Sequence, residues 1–192
     1  SCIPIIEKPA ARKEICVSRS FAYPIDSLED LNQVISKYVL IASAKLRKCN
    51  QLSSAITIFM TTNIYSKDFF KSEATQKFNI ATSDSEIIIK QSLSITKEIF
   101  KPYKKLTKAG VILHKLQSNN YKQNTLFKKG CIKKEFYRER LNNLIDNINQ
   151  RNRRDTLNWG LSILEKDWIP RREKLSYLKT TSLEIIPTVF AN

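Results

Sequence analysis

Only three glycines occur among the 192 residues, and none belongs to a Gly-rich phosphate-binding loop. Backbone cradles for nucleotide phosphates need several closely spaced glycines, so sites of that kind are excluded. One histidine, His114, accompanies four cysteines, Cys2, Cys16, Cys49 and Cys131, and no Cys-x-x-Cys spacing is present. That set makes neither a zinc site nor a disulfide framework, and the thiols read as reduced, small apolar side chains. A Ser-His-Asp or Cys-His site would need His114, which lies in an apolar strand pattern where a structural role fits it better. Acids are scarce: 18 Asp plus Glu stand against 33 Lys plus Arg. The adjacent pair Glu29 and Asp30 falls in the first turn of a predicted helix, where carboxylates favour the dipole, and Glu165 and Asp167 read as surface charge. Two-metal phosphoryl transfer needs converging carboxylates around ions about 4 Å apart. The chain therefore reads as non-catalytic, with no metal and no cofactor of its own. No apolar run reaches the ~18 residues of a membrane span and no signal peptide is visible, which points to a cytoplasmic protein with no membrane partner.

What remains is an apolar fraction of 42%, sufficient for a packed core, and a net charge of +15. The basic excess holds in both halves: 18 against 10 over residues 1–118, and 15 against 8 over residues 119–192. A sustained excess of this kind is the footprint of a polyanion binder, nucleic acid before ribosome-like or membrane-surface binding. A solvated Lys-rich surface is the bland alternative.

Residues 1–13, with Pro4 and Pro9, read as a linker. Ile15 to Phe21 alternates as a half-buried strand that Pro24 should break. Asp26 with Glu29 forms a capping box before Leu28, Leu31, Ile35, Tyr38, Ala42 and Leu46 at helical spacing. Ala55 to Thr62 is β-branched and aromatic, a second strand, and Ala74 to Ala81 reads as a third. Ser83 with Glu86 opens a second helix that stops before Pro102, and Ala109 to Leu116 is a fourth strand. The predicted class is α+β, ordered β-α-β-β-α-β over residues 14–117: a four-stranded sheet with both helices on one face and the other face free. Residues 118–133 read as a polar linker and 134–192 as a small, mainly helical extension. There Tyr137, Leu141, Leu144, Ile145 and Ile148 mark an amphipathic helix, while the rest has too few apolar residues for an independent core.

Two sets of residues carry binding chemistry. Ser18, Arg19 and Ser20 on the first strand, Thr61 and Thr62 ending the second, and Lys104, Lys105 and Lys108 before the fourth can supply donors to phosphate oxygens. Such contacts position a duplex without reading its sequence. In the linker, Gln123-x-x-Leu126-Phe127 places two large apolar side chains outside any helical or strand period, a pattern suited to recognition by a partner.

Several segments together resemble the little-finger domain of UmuC-type Y-family DNA polymerases. They are Val17-Ser18-Arg19-Ser20-Phe21, Ala44-Lys45-Leu46-Arg47, Ile56 to Asn63, Ala81-Thr82-Ser83-Asp84 and Lys108-Ala109-Gly110-Val111, in that order. Gln123, Leu126 and Phe127 are similar to that family's sliding-clamp-binding peptide. The tail is similar to the small C-terminal domain of the UmuC branch, through Trp168, Arg171-Arg172-Glu173, Ser176, Thr180-Thr181 and Pro187. Ala22 stands where the family usually has Gly, and Leu183 where a Trp is common. The resemblance implies the C-terminal part of an error-prone polymerase of translesion synthesis, SOS mutagenesis and DNA repair. Its partners would be duplex template-primer, a sliding clamp and a UmuD-like subunit, with magnesium held only in an upstream palm. The alternative is a free-standing, non-catalytic DNA- or clamp-binding module, distinguished by what the reading frame holds upstream of Ser1. An RNA-binding domain is disfavoured because no strand carries an aromatic RNA-binding motif.

Overall fold

The computed structural model describes residues 12–119, 131–152 and 156–160, with side chains in the last helix from residue 136 onward. Strand β1 spans Ile15–Ile25, helix α1 Leu28–Lys48, β2 Gln51–Thr61, β3 Lys71–Thr82, α2 Ser85–Ile99, β4 Leu106–Ser118 and α3 Cys131–Arg151. The expected β-α-β-β-α-β order is present. The strands form one antiparallel sheet in the order β1-β4-β2-β3. Because β1 and β2 both pair antiparallel with β4, they run parallel to each other across it, and the α1 connection has to cross over the sheet.

Strand period and helix period agree on one core. Ile15 and Val17 of β1, Ile56, Ile58 and Met60 of β2, and Ala109, Val111 and Leu113 of β4 are buried at alternate positions. Against them pack Leu31, Val34, Ile35, Tyr38, Val39, Ala42 and Leu46 of α1, with Ile88, Ile89, Ile95 and Ile99 of α2. Both helices therefore lie on the same face of the sheet. No helix among the described residues is long and apolar enough to cross a membrane.

Several boundaries differ from those expected. Pro24 lies within β1, which continues to Ile25. β1 is an edge strand whose register shifts between Ser20 and Ile25, and an edge tolerates a residue without an N–H. Ser27, rather than Asp26, caps α1, its hydroxyl accepting from the N–H of Glu29 at 3.2 Å and of Asp30 at 3.5 Å. Asp84, rather than Ser83, caps α2, accepting from the Glu86 N–H at 3.0 Å. β2 begins at Gln51 and β3 at Lys71, each earlier than its apolar run. Paired backbone extends a strand wherever a neighbour offers partners, whatever the side chains.

Gly110 has a packing reason. A Cβ built there would lie 2.5 Å from both Phe59 Cε1 and Ser18 Cβ, and closer still to Phe59 Cζ. Phe59 and Ser18 are its cross-strand partners on either side, so the bare backbone is what admits the ring.

Of the apolar stripe expected on helix α3, Ile145 and Ile148 are half-buried while the rest is exposed, and polar side chains dock the helix. Arg138, Asn142 and Asp146, four residues apart, face the domain, while Tyr137, Leu141 and Leu144 are exposed. Arg47 near the end of α1 makes a two-pronged contact with Asp146, at 2.6 and 2.8 Å. It also donates to the Ser83 carbonyl at 2.7 Å and the Ser85 hydroxyl at 2.9 Å. Arg138 pairs with Glu86 at 3.1 Å, and buried Asn142 donates to Asp84 at 3.3 Å. The hydrogen bond from Lys90 holds the Glu86 carboxyl below the ordinary carboxylate range, with partial desolvation opposing it and the charge of Arg138 adding to it. A groove of about 380 Å³ lies between α3 and residues 76–82 of β3, the sheet's other edge.

Two outcomes test this packing. Gly110→Ala is expected to lower stability by about 1–3 kcal/mol in denaturant unfolding, with part of that cost disappearing in a Phe59→Ala background. Additive costs would contradict the ring-on-glycine contact. Asp146→Ala is expected to lower the opening free energy of α3 amides by about 2 kcal/mol in hydrogen exchange while leaving β2 amides unchanged.

Candidate nucleic-acid interface

The face of the sheet away from α1 and α2 carries the side chains that the core positions leave out. The pairing registers arrange them in four rows running β1-β4-β2-β3. The first holds Ser20, Lys108, Thr61 and Lys71, and the second Ser18, Gly110, Phe59 and Glu73. The third holds Cys16, Ile112, Thr57 and Thr75, and the fourth His114, Ala55 and Lys77. Lys71 is paired with Glu73 at 2.9 Å, while Lys108 lies between the hydroxyl-bearing residues Ser20 and Thr61 in the register.

In the third and fourth rows the polar groups satisfy one another. Thr57 Oγ1 lies 2.6 Å from Thr75 Oγ1 and 2.8 Å from His114 Nε2, and His114 Nδ1 lies 2.8 Å from Glu14 Oε1. Both ring nitrogens of His114 are thus engaged in tying β4 to β2 and to the residue before β1. That is the structural use of a histidine within a strand. Among the described residues no three His, Cys, Asp or Glu side chains lie together so as to hold a metal ion.

The sheet brings some of the expected phosphate-contacting residues together and separates others. Ser18, Ser20, Thr61 and Lys108 share the open face within its first two rows. Lys104 and Lys105 sit in the α2–β4 loop, at the end of the sheet where Lys108 begins the face. Arg19 alternates to the other side, opposite buried Ala109. There its charge reaches Tyr38, whose hydroxyl burial pushes up to about 12, an effect that Arg19 partly offsets. Thr62 is buried, and its hydroxyl accepts from the Phe70 N–H at 2.8 Å, closing the β2–β3 loop instead of facing a ligand. Gln123, Leu126 and Phe127, with Glu165, Asp167 and the Trp168 segment, lie outside the described residues.

Sequence reasoning missed Lys71 and Lys77 as members of the open face. Lys77 falls at an even spacing from Thr75, which was a usable signal. Lys71 precedes the apolar part of β3, and only its pairing with Thr61 places it on the sheet.

A family model described as the impB/mucB/samB family C-terminal domain matches residues 12–126. A second model, a domain of unknown function (DUF4113), matches residues 139–189. Protein MucB of Salmonella typhimurium is 31% identical over 189 residues, covering 97% of this chain and 44% of that protein. Protein UmuC of Salmonella typhimurium strain LT2 is 26% identical over 182 residues, covering 94% and 43%. The chain thus spans less than half the length of these relatives. Among solved structures, DinB from Sulfolobus solfataricus aligns at TM-score 0.44 and 15% identity, over 55% of this chain and 29% of that one. The little finger domain of PolIV, solved in a complex with the beta-clamp processivity factor, aligns at TM-score 0.42 and 14% identity, over 60% and 99%. The assignment rests on the family model and the sequence relatives: the chain belongs to the impB/mucB/samB family and carries its C-terminal domain.

Proposed function

We propose that the chain is the DNA-gripping and sliding-clamp-tethering C-terminal portion of an error-prone, UmuC-like Y-family DNA polymerase acting in translesion synthesis. The observation that carries this reading is the open sheet face, with Ser18, Ser20, Thr61 and Lys108 presented together opposite the helix-covered side. Hydroxyls and a lysine on a low-relief surface suit phosphate oxygens, and the net charge of +15 draws a polyanion to it. No base-reading set of paired Arg, Asn or Gln side chains occurs on this face, so the grip is independent of sequence. Polymerisation, with its palm carboxylates and magnesium, belongs in this reading to the longer protein.

Gln123-x-x-Leu126-Phe127 supplies the tether. It lies between Ser118, which ends β4, and Cys131, which begins α3. In this reading Leu126 and Phe127 enter an apolar pocket of a sliding clamp while Gln123 hydrogen-bonds at the rim.

Two measurements test the two halves separately. Lys108→Ala is expected to weaken duplex binding equally across DNA sequences and to reduce the slope of log affinity against log salt by about 1. A salt-independent affinity in the unmodified chain would sink the DNA reading. Leu126→Ala with Phe127→Ala is expected to abolish binding to a bacterial sliding clamp and leave duplex affinity within about twofold, as hot-spot truncation outside the DNA face should. Undiminished clamp binding would remove the peptide's assignment.

A further inference from the structure

One end of the sheet carries a feature that duplex binding does not use. The β2–β3 loop, residues 62–70, and the α2–β4 loop, residues 100–105, both border the row that holds Thr61, Lys71 and Lys108. They are tied together by Lys101, whose Nζ stands 5.1 Å from the Phe70 ring centroid. Each loop projects a tyrosine almost wholly into solvent: Tyr65 is 95% exposed and Tyr103 is 96% exposed. Ile64 and Phe69 beside Tyr65 are exposed as well.

Neither tyrosine is a loose end. The base of the β2–β3 loop is closed by the Thr62 N–H on the Phe70 carbonyl at 2.9 Å and by the Phe70 N–H on the Thr62 hydroxyl at 2.8 Å. Within it the Tyr65 N–H donates to Asn63 Oδ1 at 3.1 Å. Tyr103 has φ 79, a left-handed backbone that an aromatic residue rarely adopts. It follows Pro102 in a turn that the Lys104 N–H closes on the Lys101 carbonyl at 3.4 Å, and that turn fixes the backbone from which the ring projects.

The charge of these two loops is predominantly positive. Lys67, Lys101, Lys104 and Lys105 lie in the two loops, with Asp68 as their sole acid. A π-face flanked by cations takes a ligand that is flat, unsaturated and anionic along its length, which describes unpaired nucleotides. A duplex hides the faces of its bases and cannot use the rings in this way.

We propose that this rim is a stacking site for the unpaired bases of single-stranded DNA that continues from a duplex held on the open face. The proposal rests on the duplex reading above and deepens it. The phosphates of the emerging strand run along the loop lysines, and successive bases stack on Tyr65 and Tyr103.

The test titrates the full 192-residue chain with three fluorescent DNAs: a blunt duplex, the same duplex with an unpaired 5′ extension, and the extension alone. The extension is expected to tighten binding over the blunt duplex. Tyr65→Ala with Tyr103→Ala should remove that gain, about tenfold, and leave blunt-duplex affinity within about twofold. Tyr65→Phe should retain it, since stacking needs the ring and not the hydroxyl. Persistence of the gain in the double variant overturns the proposal, as does an equal loss on both duplexes, which would make the rim part of the duplex grip. A gain that appears equally with phospholipid vesicles or an unrelated acidic protein in place of the DNA extension would also overturn it. If the unmodified chain binds no blunt duplex, the open-face reading fails, while tyrosine-dependent binding of the free extension in the same experiment would still support the rim.

Discussion

The sheet can cover only one of its faces with the two helices that its connections provide, and everything else follows from which one. Ile56, Ile58 and Met60 of β2 are fully buried beneath α1 and α2, so the residues between them must point the other way. A slip of one residue in β2 would exchange Phe59 and Thr57 for Ile58 and Ile56 across the whole face. Such a slip would place large aliphatic side chains in water and hydroxyls against the helices. The composition of the open face is therefore enforced by the core rather than chosen independently of it.

Phe59 and Gly110 mark where the two faces constrain each other most tightly. The ring is half-buried on the open side and needs a neighbour without a side chain, which β4 provides at that register position. The middle of the face is thereby kept low, with Glu73 as the charged residue of that row and the lysines toward the ends of the face. A second constraint works from the helical side. Arg47 finds acceptors on α3, on the Ser83 carbonyl and on Ser85, so one guanidinium joins the end of α1, the start of α2 and the third helix. Planar, multi-donor geometry is what suits arginine, and not lysine, to that position.

The order of the six domain elements was legible because β-branched alternation and helical spacing are separate and strong in this chain. Ile56 to Met60 can hardly be anything but a strand, and Leu31 to Leu46 can hardly be anything but an amphipathic helix. The caps were legible only to within a residue. Asp26 and Ser27, like Ser83 and Asp84, are both competent acceptors, and the choice is made by where the preceding strand lets go. Arg19 could have been placed correctly: it is two residues from Val17, and a strand puts both on one side. The Phe59–Gly110 contact could not, because cross-strand register is not written in either strand alone. α3 misled because its apolar spacing is real. What docks it is a row of polar side chains whose partners are remote in sequence, 58 residues away for Asn142 and 99 for Asp146.

The position of α3 has a further effect at the margin of the sheet. β3 is an edge strand, and its later half, residues 76–82, borders the groove that α3 closes. An uncovered edge of this length offers a ladder of free backbone groups to any extended chain, including another molecule of the same protein. Arg138, Glu139 and Asn142 of α3 line the other wall of that groove, so an extended chain added along this stretch would meet them. Arg47 and Asp146 hold that wall in place, so loosening them would widen the space beside the edge strand.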